Sequence, residues 1–197
     1  MSNTEPPPTD AQTESSGTLF TPVTGSLYLS DYPSINESSL THSKITFIIN
    51  CTSDLDHVVF PSLPNIEYAR VGVWDMPTED LSKHFHPICD RIHQISNSGG
   101  CTLVHCAKGI SRSVSFCLAY LMKYEDLTLR KAFTSLQARR CVIHPNPGFW
   151  RQLIELEKEL RGVATVKMLV YPQGAKPDVS EKELNSDRPN RVCGTLL

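Results

Sequence analysis

The sequence predicts an α/β fold: a central mixed sheet with helices packed on both faces and an anion-binding loop at one strand-to-helix junction. Short apolar runs rich in β-branched residues fall mostly in the first half of the chain, and capped helical stripes fall mostly in the second. The two patterns meet at a small-residue loop, residues 106–112. A chain of 197 residues, 40% hydrophobic and 20% charged, is long enough for one ordinary core and too short for two large domains.

Taken in order, Ser26 to Leu29 is a short strand candidate, and Ile45 to Asn50 is a continuous apolar run of the kind buried strands show. Ile66 to Val73 is a third. From Leu81 onward, Leu81, Phe85, Ile88, Ile92 and Ile95 recur at spacings of four, three, four and three, which places them on one helical stripe ended by Gly99 and Gly100. Cys101 to His105 is apolar enough for a central strand, and the helix after the loop runs from Val114 to Tyr124. Thr128 caps a helix to Arg139, with Leu129, Ala132, Phe133 and Leu136 inward. Asn146 as cap and Pro147 as first helical residue start the next, anchored by Trp150, Leu153, Leu156 and Leu160. After Gly162 the chain turns irregular, with Val166 to Tyr171 a last strand.

The ends differ from this middle. Pro6, Pro7, Pro8 and Pro22 stand among Ser, Thr, Asp and Glu, so residues 1–21 read as a disordered tail. Asp178 to Leu197 is polar and reads as mobile. The resulting division is 1–21, 22–162 and 163–197.

Net charge is −2 with a pI near 6.4, so the basic field that sequence-independent nucleic-acid binding requires is missing. No run of about 18 apolar residues suggests a membrane span, and the start lacks a signal-peptide pattern. Seven cysteines, without a CxxC pair, fit reduced thiols in the cytoplasm or nucleus. No metal spacing is found, and no cofactor is implied.

The chemistry concentrates in Val104-His105-Cys106-Ala107-Lys108-Gly109-Ile110-Ser111-Arg112-Ser113. A loop between a strand and a helix turns consecutive N–H groups into one concavity, and the helix dipole adds its positive end, so a doubly charged phosphate is held with few cations. Ala107, Lys108, Gly109, Ile110, Ser111 and Arg112 form that cradle. The same field favours thiolate over thiol at Cys106. Arg112 offers a planar fork matching two phosphate oxygens, and Gly109 lets the backbone approach the anion closely. Taken singly, a buried cysteine, an arginine or a turn glycine means little; the spacing joins them.

This stretch fits His-Cys-x5-Arg-Ser, and the chain resembles the small atypical dual-specificity phosphatases of the cysteine-dependent superfamily. Further agreement comes from Ala119-Tyr120-Leu121-Met122, Asp75-Met76-Pro77, Ala138-Arg139-Arg140, Pro145 to Leu153, and Thr165 to Met168 with Pro177-Asp178. The likeness spans about residue 22 to about 183, which makes 22–162 the catalytic domain. Lys108, in place of a small residue, and His144, in place of an arginine before Pro145, depart from the family pattern.

The resemblance implies that Cys106 attacks phosphorus to give a phosphocysteine that water hydrolyses. It makes Asp75 the general acid in preference to Asp80 or Glu79; on residue type alone Asp75 is a turn former before Met76-Pro77. Ser113 would donate to the departing thiolate, although a serine in a first turn is also a common cap. His105 would orient the loop from beneath, its plain alternative being a core histidine. Asn146 reads as structural, the cap accounting for it. Little length is spare for a deep phenol slot, so phosphoserine and phosphothreonine are expected substrates beside phosphotyrosine. Phosphoproteins are the implied partners, MAP kinase pathway members among them by family resemblance. A phosphoinositide or RNA 5′-phosphate substrate, or a phosphate-recognition scaffold without turnover, is the rival reading.

Overall fold

In a computed structural model, which describes residues 20–53 and 63–179, the middle strand is β5 (Cys101–Cys106). It lies between β2 (Leu27–Asp31) and β3 (Ile45–Asn50), parallel to both. β4 (Glu67–Arg70) continues the sheet in parallel beyond β3, and β1 (Thr21–Pro22) closes the other edge antiparallel to β2. A mixed five-stranded sheet results.

Both faces of the three inner strands are covered, which is why they read as unbroken apolar runs. Because strand side chains alternate, Leu27, Leu29, Phe47, Ile49 and Val104 join the larger core while Ile48 and Leu103 join a smaller one on the opposite face. The larger core is filled by α2 (Ser82–Asn97), α3 (Arg112–Tyr124), α4 (Leu129–Arg139) and α5 (Pro147–Arg161). The smaller one receives Leu40 of α1 (Glu37–His42). α3 is buried from Arg112 through Met122, so it is apolar on nearly every side.

The expected fold is found, with differences at its margins. α1 is an addition: Asn36 and Ser39 form a capping box around a helix too short to show a stripe. The strand expected over Ile66–Val73 stops at Arg70; Val71 and Val73 are buried, but burial here continues after the ladder ends. The last strand is shorter than Val166–Tyr171. It is β6 (Met168–Tyr171), and it pairs antiparallel with β7 (Gly174–Pro177), whose Gly-Ala-Lys-Pro composition hides a strand.

Two expectations about order are corrected. Phe20 is buried and Thr21 pairs with Leu29, so the end of the expected tail belongs to the sheet. Asp178 accepts hydrogen bonds from Arg130 Nη2 (2.8 Å) and the Lys167 amide (3.0 Å), which fixes the start of the segment expected to be mobile. Cys51, Cys89, Cys101, Cys106 and Cys117 are free thiols. The rest of both tails lies outside the described residues. Among the described residues no helix is long and apolar enough to cross a membrane.

Candidate active site

The loop that follows β5 is held by its carbonyls. The carbonyl of Ala107 accepts from the Tyr32 amide (3.3 Å), and that of Lys108 from Arg140 Nη2 (3.1 Å). The carbonyl of Gly109 accepts from Arg140 Nε (3.0 Å), and that of Ile110 from the His144 amide (2.8 Å). Ser111 accepts from the amide of Ser115 (3.0 Å) and from its hydroxyl (2.9 Å), within α3. Five consecutive carbonyls are thus bonded to the surrounding protein, and the opposing N–H groups are left to face the concavity. Arg140 is itself fixed by Asp31 (3.2 Å). Gly109 has φ of +61°, and a Cβ there would lie 2.7 Å from the Ser30 carbonyl oxygen, so the turn requires glycine.

Two donors converge on the Cys106 sulfur: the Gly109 amide at 3.2 Å and the Ser113 hydroxyl at 3.1 Å. The Ser113 hydroxyl is therefore committed to the sulfur. Burial pushes the thiols of Cys51 and Cys117 up, which keeps both protonated. Arg112 is buried and donates through Nη1 to the Val73 carbonyl (3.3 Å), bringing the guanidinium to the segment that leads into Asp75. His105 is fully buried at the end of β5. Burial holds its imidazole down at about 4, so the ring is neutral at physiological pH.

Asp75 reaches the same cleft from another part of the chain. Its Oδ1 accepts from Ser111 Oγ (2.6 Å) and Asn146 Nδ2 (2.9 Å). Ser111 occupies the N-cap position of α3 but makes no capping bond with its side chain, since the hydroxyl is turned to Asp75. The orphan amides of that helix end are left available to an anion. Asp75, Cys106 and Arg112 all line this cleft, as does Lys108. Asp80 accepts instead from the amide and hydroxyl of Ser82, and Glu79 accepts from the Trp74 amide. The two rival carboxylates are engaged elsewhere.

α5 carries the segment that bears Asp75. Gly148 packs so tightly under it that a Cβ would stand 1.9 Å from the Pro77 carbonyl oxygen. Gln152 accepts from the amides of Leu81 (2.7 Å) and Ser82 (3.1 Å) and donates to the Glu79 carbonyl (2.7 Å). It supplies the cap that Leu81 cannot give α2.

The structure brings Cys106, Arg112, Ser113, Asp75 and residues 107–111 together, with His105 beneath. Asn146 is a correction: it caps α5 through Oδ1, bonding the amides of Gly148 and Phe149, but its Nδ2 is spent on Asp75, so the cap does not account for it fully. Arg140, Gly148 and Gln152 were not legible as site residues. Arg140 stood within a matched triplet, yet nothing local in the sequence aims it at the loop. Among the described residues no group of three His, Cys, Asp or Glu side chains is placed to hold a metal ion.

A cradle of inward amides around a cysteine, at the carboxyl end of the central strand of a mixed sheet, defines the class: phosphate-handling enzymes of the cysteine-dependent type. Residues 27–159 match the family model described as dual specificity phosphatase, catalytic domain, and the chain belongs to that family. It is similar to human dual specificity protein phosphatase 14, 43% identical over 162 residues that cover 82% of this chain and 80% of that one. Human dual specificity protein phosphatase 18 is 42% identical over 163 residues, covering 82% and 85%. The crystal structure of human DUSP28 superposes with a TM-score of 0.68 at 36% identity, over 72% of this chain and 95% of that one. Protein phosphatase activity on phosphotyrosine and on phosphoserine or phosphothreonine goes with that membership.

Proposed function

We propose that this chain hydrolyses phosphoproteins by two displacements at Cys106. In the first, the Cys106 sulfur attacks phosphorus, an S–P bond forms, the P–O bond to the substrate breaks, and Asp75 gives its proton to the departing oxygen. In the second, water attacks phosphorus and loses a proton to the Asp75 carboxylate. The S–P bond then breaks to return the thiolate and release phosphate. The loop amides and the Arg112 fork carry the charge on the equatorial oxygens through both steps. Ser113, bonded to the sulfur, assists the sulfur as leaving group in the second. His105, neutral and buried, positions the loop.

The observation that carries this reading is the meeting of the Gly109 and Ser113 donors on the Cys106 sulfur in a cleft that Asp75 also lines. Cys106→Ser tested on an aryl phosphate is the direct check, with retained turnover rejecting the mechanism. MAP kinase pathway phosphoproteins as substrates, and a cytoplasmic or nuclear site of action, are supported by family resemblance. We take about residue 20 to 162 as the catalytic domain, with the chain from 163 as its C-terminal extension. Within the C-terminal extension, β7 packs against α5.

A further inference from the structure

A second cavity, about 470 Å³, opens beside the catalytic cleft, and His144 lines both. Its floor is Phe133, Ile143 and Trp150, all buried, with the rings of Phe133 and Trp150 edge to face at 4.8 Å between centroids. Its outer wall is the β6–β7 hairpin, which presents Tyr171, 46% exposed. Gln137 stands on the α4 side, Gln173 and Lys176 of the hairpin add exposed polar groups at the mouth, and no carboxylate is among the residues that line it.

The wall is fixed. Arg130 donates to the Thr165 carbonyl through Nε (3.1 Å) and Nη2 (2.9 Å) and to the Asp178 carboxylate (2.8 Å), pinning both ends of the hairpin to α4. Glu157, fully buried on α5, accepts from the Thr165 amide and hydroxyl (both 2.7 Å) and from the Leu129 amide (2.7 Å). A preorganised cavity with a buried aromatic and aliphatic floor and its polar groups at the exposed mouth suits an apolar side chain, because little ordering cost opposes its entry.

We propose that this cavity is a specificity pocket that takes a bulky apolar side chain, aromatic by preference, one or two residues from the phosphorylated residue of a substrate protein. Because His144 lines both cavities they adjoin, and successive residues of an extended peptide advance about 3.3 Å each, so a neighbour of the phosphorylated residue is the part of the substrate that reaches the second one. The proposal rests on the phosphatase reading of the neighbouring cleft and adds the sequence context that cleft accepts. It also gives the C-terminal hairpin a role in substrate choice.

The test is a set of phosphotyrosine peptides, identical except that each of the two positions on either side of the phosphotyrosine is in turn Ala, Lys, Leu or Phe. The wild-type chain should show kcat/KM about tenfold higher for Phe than for Ala at one of these positions, a discrimination within the usual reach of an apolar pocket. In Tyr171→Ala, which removes the wall, and in Gln137→Trp, which fills the space, that ratio should fall to about twofold or less. A ratio independent of absolute rate makes the variants comparable. A wild-type ratio near one at every position, or a ratio kept by either folded variant, overturns the pocket. Turnover of a small aryl phosphate by the wild type separates the two levels: if it is absent the phosphatase reading fails, and if it is present without side-chain selection only the pocket fails.

Discussion

Two loops meet over the Cys106 sulfur, and they are held in opposite ways. The 106–112 loop is continuous in sequence, and its geometry comes from backbone carbonyls bonded outward to Tyr32, Arg140, His144 and Ser115. The segment that carries Asp75 has few bonds of its own and is placed by Ser111, by the α5 cap Asn146, by Gln152 of α5 and by the absence of a side chain at Gly148. The cradle is thus a local structure that binds an anion by construction, and the acid is positioned at a distance by a helix. Damage to the first loop should therefore remove chemistry altogether, whereas damage to the second should depend on the leaving group.

The largest effects belong to the first loop. Cys106→Ser should lower kcat on any phosphate ester by about a thousandfold or more, since both displacements run through that sulfur. Steady-state assays with an aryl phosphate check it. Arg112→Lys should cost about a hundredfold or more on all substrates alike, a point charge being a poor replacement for two parallel donors. Near-normal rates in the lysine variant would remove Arg112 from the cradle.

Effects on the second loop should be selective. Asp75→Asn should cost about a hundredfold on a phosphopeptide, whose departing oxygen is strongly basic, and much less on a low-pKa phenol ester. Equal losses on both substrates would return Asp75 to a turn role. Gly148→Ala should reproduce that selectivity at about tenfold, by displacing the segment from below through Pro77. If Gly148→Ala slows both substrates equally, the helix is not what places the acid.

The smallest effect concerns the base of the first loop and appears in stability. His105 is neutral when folded, at about 4, against 6.5 for the free side chain. The unfolded chain therefore takes up the proton first, and stability present above pH 6.5 should fall by about 1.4 kcal/mol per pH unit on the way down toward the folded value. Denaturant midpoints across that range should show the slope in wild type and a shallower one in His105→Gln. Parallel curves would place the titration elsewhere.

The same contrast explains what the sequence disclosed. Cys106 and Arg112 were legible because the cradle is coded by neighbours: a strand, small residues, a helix start; the role of Ser113 came with the family resemblance. Asp75 needed the family resemblance, since nothing beside Met76-Pro77 tells an acid from a turn residue, and its bonds come from Ser111 and Asn146, 36 and 71 positions away. Asn146 misled because one side chain does two jobs, and only the capping one has a local signal. The inner strands declared themselves by apolar runs, while α1 and β7 were hidden, the one by its brevity and the other by glycine and proline. β7 forms because β6 offers it a partner, which periodicity cannot see.

Covalent transfer to Cys106 is the claim on which the comparison of the two loops stands, and Ser113 gives a means to observe it. Ser113→Ala removes a donor from the sulfur and should slow breakdown of the phosphoenzyme more than its formation. Rapid quenching of this variant during turnover of a radiolabelled phosphopeptide, followed by proteolysis and mass spectrometry, should recover the label on the peptide containing Cys106, with accumulation well above wild type. Label on another residue, or full turnover with no labelled enzyme at any time, would contradict the account.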